Sequence, residues 1–313
     1  MSHLRAPARQ HVVDTRDEAD RLLTPPGSLG VLDRAVDRVV ALGHEALTSG
    51  VLVLAAGHHR VLELGVSAFT DEVTDDVVAA AREGTAVGTV AARAAGLEAV
   101  VVDCGRASGN LRDEDALTTA AVEDLVQRGR AEGLQHGRTG LVALGEVGMG
   151  NTTVAAALAA VLLAVPAADA VGLGAGADSA MLERKRAVVD AALQRVGSTE
   201  DPLRALAAVG GPEVAYLTGV VLGAASAGAV VVLDGLLTSL AGLCAVLLEP
   251  AVDQHLVAGQ RSRERGHPAV LARLGLEPLL DLRLRAGEGA GACLASGLLL
   301  SGLRVRRETA RTR

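Results

Sequence analysis

The chain has no tryptophan, one tyrosine (Tyr216) and one phenylalanine (Phe69) in 313 residues. A platform that stacks single-stranded bases needs several aromatic faces in a row, so that class of partner is excluded. Basic residues are outnumbered by acidic ones, 30 to 37. A net charge of −7 has the wrong sign for a nucleic-acid footprint. Cysteine is limited to Cys104, Cys244 and Cys293, an odd number with no C-x-x-C pair. Free buried thiols in a reducing cytoplasm are expected, not a disulfide framework.

Several sequence motifs are also missing. There is no G-x-G-x-x-G, no G-x-x-x-x-G-K-[ST], no G-x-S-x-G and no H-E-x-x-H, which weakens the dinucleotide, P-loop, serine-hydrolase and zinc-protease readings. Paired acids ahead of a Thr-Gly-Gly-Thr-like pyrophosphate loop are absent too. His58 and His59 are adjacent, and on an extended segment they point opposite ways, with no carboxylate at ligand spacing. Neither a metal nor a cofactor is expected.

One stretch without charge, residues 214–233, is long enough to span a bilayer. Gly219, Gly223 and Gly228 interrupt it, and Val230–Leu233 before Asp234 reads as a strand. A buried helix followed by a strand fits better than a membrane span. The first 21 residues are polar and mixed in charge, unlike a signal peptide. A soluble, cytoplasmic protein without a membrane partner is expected.

With 50% hydrophobic and 21% charged residues, the chain is globular. Residues 1–47 carry a helical pattern, broken by Thr24-Pro25-Pro26-Gly27-Ser28-Leu29-Gly30, where two prolines and two glycines stop a continuous helix. Short aliphatic runs, free of charge but for Asp169, follow at Val51–Ala56, Ala99–Val102, Gly140–Leu144, Ala168–Leu173 and Val230–Leu233, each succeeded by a helical pattern. Runs without alternation are what strands buried on both faces look like. The expected fold is therefore α/β: a doubly wound parallel sheet in a three-layer α/β/α arrangement, with a small helical domain formed by the chain ends. The expected boundaries are 48–250 for the large domain and 1–47 plus 251–313 for the small one.

In such sheets ligands bind beyond the carboxyl ends of the strands. Those ends carry Gly57-His58-His59, Asp103-Cys104-Gly105, Gly145–Thr153, Gly172–Asp178 and Asp234-Gly235. Gly172-x-Gly174-x-Gly176 reads as a loop between strand and helix, with Asp178 as the helix N-cap. Its N–H groups suit a phosphate, although a purely structural turn remains open. The only lysine, Lys185, lies seven residues further on. In a chain that otherwise uses arginine, a compact point charge suits a phosphate partner, and an ordinary surface position is the alternative. Glu146 stands at a strand end, placed to accept ribose hydroxyls, and Asn151-Thr152-Thr153 opens a helix. Near the C-terminus, Arg285-Ala286-Gly287-Glu288-Gly289-Ala290-Gly291-Ala292 sets one carboxylate between glycines. A Glu so placed has few side-chain neighbours, and partial desolvation makes it a candidate general base.

These pieces, in this order, resemble the nicotinate-nucleotide–dimethylbenzimidazole phosphoribosyltransferase family of cobalamin biosynthesis. The matching runs are Pro25–Gly30, Gly65–Phe69, Glu72–Thr74, Gly145–Thr153, Gly172–Asp178, Gly210–Glu213, Asp234-Gly235 and Glu277–Leu282 leading into Arg285–Ala292. The resemblance implies transfer of phosphoribose from nicotinate mononucleotide to a benzimidazole nitrogen, giving α-ribazole 5′-phosphate and nicotinate with inversion at the anomeric carbon. It also implies a homodimer. Glu288 matches the family's catalytic base and Glu146 a second active-site Glu. Gly174, Gly176 and Lys185 match the phosphate-binding region. Phe69, Val77, Met149, Asn151, Asp178 and Gly287 complete the expected substrate-binding set.

The chain departs from the family pattern in four places. The strand end Ala-Asp-His-Gly reads Ala56-Gly57-His58-His59. The proline after the aromatic is Thr70, the Arg of the phosphate loop is Leu173, and the Leu before Gly-Glu-Gly is Ala286. Another azole or a purine is therefore an alternative acceptor. A non-catalytic paralogue that binds a nucleotide or cobamide precursor is the alternative to an enzyme.

Overall fold

Four of the five aliphatic runs, joined by a strand outside them, build one parallel sheet. Its strands are β1 (Gly50–His58), β2 (Leu97–Arg106), β3 (Leu141–Val147), β4 (Val230–Leu233) and β5 (Leu256–Ala258), in the order β2-β1-β3-β4-β5. The computed structural model describes residues 4, 6, 7, 9–174 and 178–312. Within them the chain enters through α1 (Arg9–Ala19) and α2 (Val31–Ala41), then α3 (Glu72–Arg82) and α4 (Val87–Ala94) between β1 and β2. Between β2 and β4 come α5 (Thr119–His136), α6 (Asn151–Leu163), α7 (Ala167–Ala170), α8 (Ser179–Val196), α9 (Pro202–Val209) and α10 (Pro212–Ser226). The chain closes with α11 (Leu236–Leu248), α12 (His267–Leu274) and α13 (Ala290–Glu308).

β1, β3, β4 and β5 bury both faces, which is why no period-2 alternation marks them, whereas the edge strand β2 is buried only at Leu97 and Cys104. Val51, Val53, Ala55, Val142, Leu144, Val231 and Leu233 face one core, shared with residues of α5, α6, α8, α9, α10 and α11. Leu52, Leu54, Ala56, Leu141, Ala143, Val230 and Val232 face the other, closed by residues of α2, α3, α4 and α13. This is the three-layer arrangement expected from the sequence. The apolar α10 and α11 are buried in it, and no described helix is long and apolar enough to cross a membrane.

Two expectations need correction. The run Ala168–Leu173 is not a strand: Pro166 precedes a single helical turn, α7, and residues 171–174 have no regular structure. The run opens on Ala168-Asp169-Ala170, alanine being a strong helix former, and a segment this short has no periodicity to separate the two states. Conversely, β5 lies beyond residue 250, where only a small helical domain was expected. Leu256 and Val257 pair with Val231 and Val232, so the sheet continues past the expected boundary. Three residues between polar neighbours were too few to read as a strand.

The strand order places the sheet's switch point between β1 and β3, whose neighbours run away in opposite directions. At that crevice Ala55 pairs with Glu146 and Ala56 with Val147. On the other side of β1 the register slips between Ala56 and His58, and Gly105 at φ 85° takes up the irregularity.

Candidate active site

The Glu288 loop is positioned by main chain before any side chain acts. Residues 279–280 run along β5: Leu279 and Leu280 N–H donate to Ala258 and Gly259 O, both at 3.0 Å, and Arg261 N–H donates to Leu280 O at 2.8 Å. The chain then turns through three consecutive left-handed residues, Gly287, Glu288 and Gly289, at φ 72°, 57° and 76°. Glycine adopts this freely. At Glu288 it costs on the order of 1 kcal/mol and persists because the surroundings enforce it. Glu288 N–H donates to Glu146 O at 3.1 Å, and the carboxylate Oε2 accepts from Gly88 N–H at 3.1 Å, in the first turn of α4. Gly88 and Gly145 allow the close approach. A Cβ on Gly88 would stand 2.1 Å from Glu288 O, and one on Gly145 would stand 2.6 Å from it.

Glu146, at the end of β3, lies beneath this loop. Its Oε2 accepts from Asn151 Nδ2, the first residue of α6. Burial, reinforced by the nearby charges of Glu213, Asp234 and Glu288, pushes its carboxyl up to about 8. Glu146 therefore carries a proton at neutral pH. The Asp234 carboxylate, 2% exposed, accepts from Ala292 N–H at 3.0 Å and Gln260 Nε2 at 3.1 Å. Burial raises it to about 6, against the pull of main-chain N–H groups at Ala292, Gly291 and Gly289. Asp234 thus receives the first turn of α13 and fixes the exit of the Glu288 loop.

Lys185, on α8, is 3% exposed. Its ammonium donates to Thr152 Oγ1 at 2.9 Å and Leu173 O at 3.2 Å. Burial lowers its pKa, opposed by the charge of Glu264, whose own carboxyl burial raises. Gly174, at φ 67°, lies against the amine, and a Cβ there would stand 2.7 Å from Nζ. Asp178 is exposed and caps α8, accepting from Met181 N–H at 2.8 Å, as the sequence suggested. Gly176 lies outside the described residues.

Phe69, 45% exposed, sits on the loop that leads into α3, while Val77 and Met149 are half-buried and pack on the same core. Met149 N–H donates to Thr74 Oγ1 at 3.1 Å, tying α3 to the glycine loop after β3. The Phe69 loop is held at both ends. Arg184 Nε donates to Gly65 O at 2.9 Å, and Asp71 takes His58 Nδ1 at 2.9 Å and Arg106 at 2.6 Å.

The structure thus joins Glu288, Gly287, Glu146 and Asn151 directly, and Lys185 with Gly174 through Thr152, the next residue of α6. Gly88 and Glu264 were not singled out from the sequence, and Gly145, Thr152 and Asp234 entered its reading only within longer runs, with no site role of their own. Asp234 did carry a signal, an acid ending an apolar strand. Gly88 carried none, because its role depends on a contact 200 residues away.

A phosphoribosyltransferase family profile matches residues 4–313. Among curated relatives, the nicotinate-nucleotide–dimethylbenzimidazole phosphoribosyltransferase of Chloroflexus aggregans is 38% identical, over 96% of this chain and 92% of its own length. The protein of the same name from Pseudomonas putida is 38% identical, over 91% of this chain and 88% of its own length. The crystal structure of CobT from Thermus thermophilus superimposes with a TM-score of 0.91 at 36% identity, covering 96% of this chain and 97% of that one.

Proposed function

Because this chain belongs to the nicotinate-nucleotide–dimethylbenzimidazole phosphoribosyltransferase family, we propose that it moves phosphoribose from nicotinate mononucleotide to 5,6-dimethylbenzimidazole or a related azole. Lys185, with Gly174 and the start of α6, holds the phosphate. One acceptor nitrogen attacks the anomeric carbon as the bond to the pyridinium nitrogen breaks. The electron pair of that bond neutralises the pyridinium, and nicotinate leaves. The proton on the acceptor's other nitrogen passes to the Glu288 carboxylate.

The physics suits this division of labour. The leaving group already carries a positive ring nitrogen, so it needs no acid. Aligning acceptor nitrogen and sugar carbon is worth several powers of ten, and a positioned base typically adds ~10²–10⁴. The observation that carries the reading is the Glu288 carboxylate, held by Gly88 N–H in a loop hydrogen-bonded to Glu146. Glu146, protonated below about 8, donates a hydrogen bond to substrate where a second carboxylate would only add repulsion. The departures at Gly57, His59, Thr70, Leu173 and Ala286 leave Glu146, Glu288 and Lys185 in place, so nothing favours a binding-only paralogue.

Incubation with nicotinate mononucleotide and dimethylbenzimidazole should release nicotinate and yield an equal amount of the α-ribazole phosphate. Absence of both products across a panel of azoles and purines removes this reading. We place the reaction in the cytoplasm and the chain in a homodimer, with α1, α2 and α13 as the small helical unit. Light scattering that returns the monomer mass removes the dimer.

A further inference from the structure

We propose that His59 and Glu213 are a buried positioning pair that holds the glycine loop after β3, and through it the Glu146 carboxyl, in register with the Glu288 loop. The inference rests on the reading of Glu146 as an active-site group. The two side chains lie 3.0 Å apart, Nε2 to Oε1, with side-chain exposures of 1% and 0%. They meet as a charge pair only: no polar atom of either side chain has a hydrogen-bond partner among the described residues.

Three glycines from three separate segments wall the pair in: Gly57 in β1, Gly148 after β3 and Gly211 before α10. A Cβ on Gly57 would stand 2.1 Å from Glu213 Oε2, one on Gly148 2.9 Å from His59 Nε2, and one on Gly211 2.5 Å from His59 Cε1. The compartment is therefore built to the size of these two side chains. It also accounts for two departures noted in the sequence. Glycine at 57 leaves room for the Glu213 carboxylate, and histidine at 59 supplies the group that meets it.

A polar pair this deep is costly to strand, since removing one member leaves the other buried without a partner. Its position links it to the chemistry. Gly148 touches the imidazole and lies two residues from Glu146, in the loop that ends at Asn151. Glu213 lies close enough to act electrostatically on Glu146 and Cys104. The other groups facing Glu146 are Asp234, Glu288 and Asn151, and neither His59 nor Glu213 is placed to touch the phosphate held near Lys185.

The test uses the full chain with His59→Gln, Glu213→Gln and the double variant. A positioning role predicts a fall in kcat of about 10²-fold in either single variant, with KM for nicotinate mononucleotide changed little. In Glu213→Gln the limb of the pH–rate profile that belongs to Glu146 should also move to lower pH. Wild-type kcat and an unmoved limb in Glu213→Gln overturn the proposal, whatever the loss in melting temperature. Urea unfolding of the unliganded proteins reads the pair without any turnover, and the single-variant effects should fail to add in the double variant. Additive effects overturn the pair. If the wild-type protein releases no nicotinate, the proposed reaction fails and the unfolding cycle alone decides the pair. Should His59→Gln not fold, His59→Asn takes its place in the cycle.

Discussion

Glu288 N–H donates to the carbonyl oxygen of Glu146 at 3.1 Å, so the carboxylate and the protonated carboxyl of the proposed chemistry are joined through the main chain. Each side chain can be changed without unfastening the other. The first prediction uses this. Glu288→Gln should lower nicotinate release by ~10²–10⁴ and leave binding of nicotinate mononucleotide, read by calorimetry, within a few-fold of wild type. Unchanged turnover removes Glu288 from the role of base.

Gly88→Ala should cost nearly as much as loss of the carboxylate itself, because the added Cβ would lie 2.1 Å from Glu288 O and 2.8 Å from its Cβ. The loop must move, and a displacement of about 1 Å is enough for a ~10²-fold loss. The variant should also be destabilised by about 1–3 kcal/mol, the usual cost of overpacking, as checked by denaturant unfolding.

Lys185→Met keeps the length and apolar stem of the side chain and removes the charge. Hydrogen bonds to a charged group contribute ~1.5–3 kcal/mol, so KM for nicotinate mononucleotide should rise by roughly 10–150-fold. The acceptor KM should hardly change. Steady-state kinetics with each substrate varied in turn separates the two. A rise confined to the acceptor places the phosphate elsewhere.

Stability should fall as the solution becomes mildly alkaline. Glu146 has a folded pKa of about 8 against an ordinary 4.5. Between those values the folded chain holds a proton that the unfolded chain has lost, and its stability declines as pH rises toward 8. Asp234, raised to about 6, acts in the same sense but has finished titrating by then. His267 acts in the opposite sense. Ser262 N–H donates to its Nδ1 at 2.9 Å, so Nε2 carries the hydrogen and donates to Ser239 Oγ at 3.0 Å. Burial holds this neutral ring down at about 4 against an ordinary 6.5, so its contribution is lost only as pH falls below 6.5. From pH 6.5 to 8 the Glu146 slope stands alone among these groups, at roughly 1 kcal/mol per pH unit at the start of the window and about half that at pH 8. Melting temperature should drop across that window in the wild type and stay level in Glu146→Gln. A parallel drop in both assigns the slope to another group.

The sheet was readable in the sequence wherever a strand ran four or more residues without a charge, and β1 through β4 all did. It was unreadable at β5, which is short, and at α7, where alanine follows a proline in a run with no period. The site divides in a similar way. Glu288, Glu146 and Lys185 were visible because each is locally odd: an acid between glycines, an acid ending an apolar strand, a lysine alone among arginines. Gly88 and Glu264 were not singled out, and Asp234 entered only as a strand end without a role, since their importance lies in what folding brings against them. The carboxyl that burial perturbs to about 8 is that of Glu146. A single run of sequence cannot reveal this, because the neighbouring charges come from β4, α10 and the C-terminal loop.

The bare backbone on which the Glu288 loop rests has a consequence for how this enzyme class diversifies. Where the loop meets Gly88 and Gly145, no side chain is available to vary, so drift in the residues around the heterocycle cannot tilt the proton acceptor. On the proposed reading, a lineage is then free to remodel the acceptor wall for a new aromatic guest and inherit the reacting geometry intact.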